Sequence, residues 1–361
     1  MPLTTVSQGL LSTDAQYTGF KNRLINGGMT IDQRNVGTSV TANAGTAPYC
    51  PDRWNGRVQQ ASGAFTMQQS TVAPAGFVNS LLLTVTNTTA PAAGNRVHVR
   101  QIIEGFNVAD LGWGTANAQP VTLSFWVRSS LTGLYGVGFI NQPENRSYVG
   151  TYTISAANTW EFKTITVPGD TTGTWQTNNT DGIRLTFDLG SGTSYNASSA
   201  GTWVAQEACR TSSCVNWQQS SGATFYITGC QLEKGQTATS FDIRSIGTEL
   251  ALCQRYYSKS YLQTVVPGSA SATGAPGRFV DAVSNYASIQ IFFPQSMRAT
   301  PTVTPYNPST GTINQMRTDA KNIAASVSDP GPVGCFIHAN NVAVDYTSDS
   351  TRVHYTASAE L

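Results

Sequence analysis

The sequence predicts an all-β protein: an extended N-terminal arm, a jelly-roll β-sandwich, a short connector helix and a smaller C-terminal β-domain. Three observations carry the prediction. From Asp52 onward, short runs of alternating apolar and polar residues recur without intervening helices, separated by Gly, Pro, Asn and Asp turns. Charged residues are 11% of the 361, against roughly 25% in an ordinary soluble domain. Glycine numbers 33, and Thr, Ser, Asn and Gln run throughout, giving a surface that is polar without being charged. Hydroxyl and amide side chains of that kind suit outer strand faces and turns.

Residues 1–50 form the arm. In "TGFKNRLINGGMTIDQRN", Leu24 and Ile25 precede Asn26-Gly27-Gly28, and Met29 and Ile31 follow, which predicts two short strands about a tight turn. "VGTSVTANAGTAPYCP" lacks core-forming periodicity and reads as extended chain. Phe20, Arg23, Ile25, Met29, Ile31 and Arg34 are the residues expected to dock it on a partner, since an extended segment can add to another protein's sheet edge.

Residues 51–235 read as the sandwich. In "TLSFWVRS", Leu123, Phe125 and Val127 share one face, and Thr122, Ser124, Trp126 and Arg128 the other. In "EFKTITVP", Phe162, Ile165 and Val167 break strict alternation once, predicting a bulge near Lys163. "FYITGCQLEKG" reads as the closing strand: Phe225 and Ile227 point inward. Gln231 and Glu233 form a hydrogen-bonding corner at its exit rather than catalytic groups.

Residues 236–262 are a linker carrying a helix in "SIGTELALCQRYY". Thr248 is the expected cap and Glu249 suits the positive end of the dipole. Leu250, Cys253 and Tyr257 line one stripe, with Leu252 and Tyr256 beside it. So short a helix must dock, either on this chain or on a partner subunit. Residues 263–361 return to β-structure, with alternation at Ile289, Ile291 and Phe293, at Val342, Val344 and Tyr346, and at Val353 and Tyr355.

A net charge of +1, from 21 basic and 20 acidic residues, gives no electrostatic footprint for nucleic acid or an anionic membrane. No apolar stretch approaches the roughly 20 residues of a membrane span, and the N-terminus shows no secretory signal. Of six cysteines only Cys209 and Cys214 lie close together. A local disulfide and free thiols both fit that pair, a reducing cytoplasm favouring thiols, and no ligand pattern indicates metal. No nucleophile, zinc or phosphate-loop motif is present. Glu104, Glu144, Asp170, Asp181, Asp188 and Glu233 form no pair that spacing reveals, and His98, His338 and His354 read as strand-surface residues. The chain is therefore not expected to be an enzyme. Sugar binding needs only an exposed aromatic face and nearby polar groups. Trp175 and Tyr148, in polar turn-rich settings, fit that need, as do Trp203 and Trp217 beside the cysteine loop. Even Trp175 reads first as a loop aromatic plugging the end of the sandwich.

"GFKNRLINGGMTIDQRN" followed by "PDRW" resembles the start of a family of tailed-bacteriophage virion proteins, tail fibre or receptor-binding proteins. "VTLSFWVRSSLTGLYGV", "TYTISAANTWEFKTITVPGDTTGTW" and "FYITGCQLEKG" look like its carbohydrate-binding-module-like jelly roll. "GTELALCQRYY" and "FFPQSMRATPTVTPYNP" look like its helix and C-terminal domain. The resemblance implies a homotrimeric structural protein of the virion, assembled in the host cytoplasm. Its arm would contact other virion proteins, and it would attach to host cell-surface polysaccharide. A capsid decoration protein and a glycan-degrading tailspike are the alternatives. Jelly rolls of this resemblance often hold a structural calcium, although no dedicated loop of the D-x-D-x-D-G kind is present; no other cofactor is expected.

Overall fold

The computed structural model describes residues 20–279, 286–318, 321–340 and 350–361. They form two compact units, and the chain contributes to each more than once. The first contains the described residues up to Met29, with Thr41–Pro48 and Trp54–Ile243; the second contains Thr30–Val40, Tyr49–Arg53 and the described part of Arg244–Leu361.

The first unit is a two-layer sandwich. Its strands are β1 (Val40–Asn43), β2 (Asn55–Val58), β3 (Ala64–Ser70), β4 (Ser80–Asn87), β5 (Val97–Glu104) and β6 (Val121–Ser129). They continue as β7 (Gly133–Ile140), β8 (Ser147–Ile154), β9 (Glu161–Val167), β10 (Asp181–Asp188), β11 (Trp203–Val204) and β12 (Thr224–Lys234). One sheet runs β1-β3-β4-β12-β6-β9, the other β11-β8-β7-β10-β5-β2. Apart from β3–β4, β7–β8 and β10–β11, successive strands swap sheets, so each layer is assembled from distant parts of the chain, as in a jelly roll. Leu123, Phe125 and Val127 of β6 are fully buried as their alternation requires. Phe125 meets Phe187 and Tyr152 edge-on at 5.2 and 5.0 Å, a favourable ring geometry.

β9 carries no bulge. It pairs with β6 in unbroken register from Val121↔Val167 to Val127↔Glu161. Phe162 belongs to the outer set: it is exposed and lies 5.4 Å from Trp126 on the solvent face. The bulge falls instead in β12, where pairing with β6 shifts between Thr228 and Gln231. Gly229 there has φ +61, a left-handed value that favours glycine. The extra residue inverts the alternation. Phe225 and Ile227 face the core before the bulge, Cys230 and Leu232 after it. Gln231 and Glu233 thereby share the opposite face and form the expected corner. Gln231 Oε1 accepts from Asp242 N at 2.7 Å, and Glu233 accepts from Thr239 N and Oγ1 at 2.9 and 2.7 Å.

The two strands expected about Asn26 are absent. Residues 22–27 run instead beside the second half of β12, with Arg23 N donating to Leu232 O and Cys230 N to Gly27 O. Gln101 grips Ile25 through both backbone groups, each at 2.8 Å. Leu24, Ile25 and Met29 are buried, and Arg23 pairs with Asp110 at 2.9 Å. What reads as an arm for a partner's sheet edge lies beside the inner strand β12 of its own chain, in the place β4 leaves after Ile227.

In the second unit, helix α1 spans Ile246–Gln254 and is capped by Ser245, whose Oγ accepts from Thr248 N at 3.3 Å. Thr248 is thus the partner of the cap rather than the cap, because Ser245 holds the extended backbone an N-cap needs. The strands are β13 (Tyr257–Lys259), β14 (Gly277–Phe279), β15 (Tyr286–Phe292), β16 (Thr302–Tyr306) and β17 (Gln315–Arg317). β18 (Asn322–Ala324), β19 (Ser326–Gly331), β20 (Gly334–Asn340), β21 (Ser350–Arg352) and β22 (His354–Ser358) complete them. They build the sheets β13-β22-β16, β14-β21-β17-β18 and β15-β20-β19. Ile289, Ile291, Phe293, Ile337, Val353 and Tyr355 share one core. Val342, Val344 and Tyr346 lie outside the described residues.

The helical stripe is only partly realised. Cys253 is buried, Leu250 and Leu252 are half-buried, and Ile246 is exposed. Tyr256 follows the helix and Tyr257 begins β13, so neither continues the helical face. Both are buried under cations of the early segments. Arg53 lies 3.5 Å above Tyr256, and Arg34 lies 3.7 Å above Tyr257. Arg34 also bonds Asp52 at 3.4 Å and Glu360 at 3.0 Å, and Arg53 pairs with Glu360. Of the surface expected to join subunits, Ile25, Met29, Ile31, Cys253, Tyr256 and Tyr257 are buried within this chain. Phe20 is half-buried.

Candidate functional site: a cluster of three indoles

Trp175, Trp203 and Tyr148 come together in the first unit. Tyr148 sits on β8 and Trp203 on β11, its cross-strand partner, with ring centroids 5.4 Å apart. Trp175 comes from the loop between β9 and β10 and lies 5.5 Å from Trp203. Trp113, which the sequence did not single out, completes the group at 4.7 Å from Trp175 and 5.3 Å from Trp203. The three indoles meet edge-to-face, at interplanar angles of 77–81°. Trp113 is held in a sharp turn between Gly112 (φ +61) and Gly114 (φ +84); that Gly-Trp-Gly triplet is the signal that could have found it.

Every indole N–H of the trio is satisfied by the protein. Trp113 donates to Gln119 O at 2.7 Å, Trp203 to Pro168 O at 3.0 Å and Trp175 to Asp170 Oδ2 at 3.0 Å. Only ring carbon is left to offer. Trp113 and Tyr148 are buried supports, whereas Trp175 and Trp203 are half-buried and present ring surface outward.

Asp170 anchors the loop. Its carboxylate receives Arg146 side-on, Nη2 to Oδ1 at 2.7 Å and Nε to Oδ2 at 3.0 Å, the fork geometry that fixes both planes. Burial alone would raise this carboxyl, but the Arg146 pair and the Trp175 N–H bring it below the ordinary aspartate value. Arg146 also lies 5.7 Å above Trp203, so one cation orients both half-exposed indoles. Thr171, Thr172 and Thr174 of the same loop are exposed beside them. The arrangement offers two rigid apolar ring surfaces rimmed by hydroxyls. It can stack a flat apolar face and bond polar groups at the edge.

Trp217 is not part of it. It is fully buried, packed against Phe65 at 5.9 Å and Phe225 at 6.5 Å. The polar neighbours that suggested exposure turn inward, Gln218 donating to Ala64 O and Asn87 O. All six cysteines are free thiols; Cys209 Sγ faces Asp188 and Ser191 at 3.7 and 3.9 Å.

His98 and His354 are buried rather than on strand surfaces, and His354 stacks on Tyr261 at 3.8 Å. Asp170 and Asp188 are each committed to an arginine, Asp181 and Glu144 share Arg184, and Glu233 holds the corner after β12. Among the described residues no three His, Cys, Asp or Glu side chains converge to hold a metal. No helix among them is long and apolar enough to cross a membrane.

No family model matches the chain, and no curated protein matches its sequence. Solved structures similar to it include the enzymatically active domain of tailspike protein 4 from bacteriophage CBA120, at 15% identity and a TM-score of 0.30. That match covers 59% of this chain and 21% of the tailspike chain, so the chain spans about a fifth of it. A putative sugar-binding protein from Bacteroides thetaiotaomicron is matched over 60% of this chain and 100% of its own, at 12% identity and a TM-score of 0.34. The family 11 carbohydrate-binding module from Clostridium thermocellum, in complex with a mixed-linked tetrasaccharide, is matched over 55% of this chain and 98% of its own, at 10% identity and a TM-score of 0.27.

Proposed function

We propose that this chain is a non-enzymatic structural protein of a tailed-phage virion, a tail fibre or receptor-binding appendage that attaches to host surface glycans. One observation carries the binding half of the reading. Trp175 and Trp203 are held open, with their N–H groups already bonded and their planes fixed through Arg146 and Asp170. A buried plug has no need of two half-exposed rings fixed from below. The C–H face of a pyranose is the ligand that matches ring carbon rimmed by threonine hydroxyls. The virion half rests on the motifs from "GFKNRLINGGMTIDQRN" to "FFPQSMRATPTVTPYNP" in their order along the chain. A homotrimer in contact with other virion proteins completes it. The absence of a catalytic role is supported by carboxylates such as Asp170, Asp188 and Glu144 being tied into ion pairs of the fold.

Trp175→Ala and Trp203→Ala test the reading on a glycan array of host surface polysaccharides. Both are expected to lose signal by at least about tenfold, the loss of a stacked aromatic contact, with unchanged circular dichroism. Undiminished signal in both variants refutes the site. Release of reducing ends from the bound polysaccharide would favour the tailspike alternative instead.

A further inference from the structure

A second opening lies in the first unit, on the far edge of the β2-bearing sheet. It is a cleft of about 460 Å³ between the turn after β1, strand β2 and the residues just before β5, within the roughly 300–1,000 Å³ of small-molecule sites. Its walls are fixed before any ligand arrives. The turn is closed by Asn43 and Thr46, which exchange backbone bonds at 3.3 and 3.2 Å. Asn55 Nδ2 ties Ala47 O down at 2.7 Å.

The polar groups left over there are mostly donors. Asn43 spends its oxygen on Gly45 N and Thr46 Oγ1, at 2.9 and 3.1 Å, which leaves its NH₂. Gln59 spends its oxygen on Arg96 N at 3.0 Å, which also leaves its NH₂. Asn95 is the reverse: its NH₂ bonds Gln60 and its oxygen remains. Arg57 makes no hydrogen bond or ion pair with the described residues. No carboxylate lines the cleft. The nearby acids are engaged elsewhere: Glu144 and Glu207 hold Arg96, and Glu144 and Asp181 hold Arg184. Across the strand pair from Arg57 stands His98, buried, its Nε2 without a partner. Burial, then Arg100, Arg96, Arg57 and Arg184, pushes that imidazole well below its ordinary value. Arg96 and Arg184 are balanced by those carboxylates, so Arg57 is the cation in the cleft wall with no carboxylate against it, a place that favours an anion.

We propose that this cleft is a second saccharide subsite, selective for a carboxylate-bearing sugar of the uronic acid type. Arg57 takes the carboxylate, for which its planar fork is suited. The Asn43 and Gln59 amides donate to hydroxyl or ring oxygens, and Asn95 Oδ1 accepts one sugar hydroxyl. The assignment rests on the glycan-binding reading above but uses none of the indole residues.

The test is saturation-transfer NMR on the full chain with three probes: methyl β-D-glucuronide, its neutral match methyl β-D-glucoside, and sodium acetate as a bare carboxylate. The glucuronide is expected to bind, with affinity falling as salt is raised. Arg57→Ala should weaken it at least about tenfold, as loss of a charged hydrogen-bond donor does, while Trp175→Ala should leave it unchanged. Equal binding of glucoside and glucuronide, or an unchanged response in Arg57→Ala, overturns the proposal. Acetate displacing the glucuronide at equal concentration shows a bare anion site and overturns the sugar assignment. If Trp175→Ala alone loses neutral polysaccharide while the glucuronide response survives, the two subsites are independent. If the glucuronide binds and no polysaccharide binds through Trp175, the indole reading fails and the cleft stands.

Discussion

At the scale of single residues, burial and pairing decide what each polar group can do. Asp52 is almost fully buried and accepts from Gln33 N and Nε2 at 3.1 and 2.6 Å and from Arg34 at 3.4 Å. Burial raises its carboxyl to about 6 against the pull of Arg34 and Gln33. Raised in the folded state, this acid contributes stability that is full below the unfolded value near 3.8 and is lost as pH rises through about 6. Between pH 4 and 7 the native chain should therefore lose about 2–3 kcal/mol more than Asp52→Asn, read from urea unfolding at each pH. A variant with the same pH slope as the native chain would contradict this. Residues of this kind are hard to read in a sequence, because "PDRW" shows no partner within reach: Gln33 and Arg34, which hold Asp52, lie 19 and 18 positions back, and Glu360, which pairs with Arg53, lies 307 positions on. The half-burial of Trp175 was legible for the opposite reason, since an indole among Thr, Gly and Asn has few apolar sequence neighbours to bury it. Trp217 had equally polar neighbours and was misleading, because Gln218 follows it into the core to bond two carbonyls.

At the scale of elements, alternation identified β6 and β12 but could not say which way an apolar residue faces when both surfaces of a strand carry one. Phe162 is such a case: its partner Trp126 lies on the solvent side of β6. The bulge in β12 was hidden by "TGC", where Gly229 supplies the left-handed backbone while Cys230 restores a core-facing residue. A side chain at Gly229 would meet the Phe77 ring at 2.6 Å and be strained at φ +61. Gly229→Ala is expected to cost about 1–3 kcal/mol, measured as a lower urea midpoint. A neutral result would mean that the bulge is adaptable. The same bulge ends pairing with β4 at Ile227, and residues 22–27 take over beside the rest of β12. Gly27 fits closely there, for a Cβ on it would lie 2.1 Å from Cys230 O. Removing this segment would therefore uncover the sandwich rather than spare it.

At the scale of the whole molecule, the two β-rich regions and the helix between them were legible, because periodicity and turn residues are local. The division of the chain was not. Residues 30–40 and 49–53 belong with the C-terminal unit through Arg34, Arg53 and Asp52, contacts no periodicity announces. Self-association has a physical motive in that unit. Tyr286, Phe292 and Phe336 are exposed on the outer face of the β15-β20-β19 sheet, Phe292 at 70%. The proposed homotrimer predicts three times the mass of one 38.4 kDa chain in light scattering at micromolar concentration, and a monodisperse monomer would overturn it. The pairing of Arg34 and Arg53 with Glu360 also sets an order of assembly during synthesis. Once residue 243 has left the ribosome, every strand of the sandwich has been made, yet both arginines still await their glutamate. At about 5–20 residues per second, that wait lasts on the order of ten seconds. The nascent sandwich can be complete throughout, while the second unit is sealed only once Glu360 has emerged.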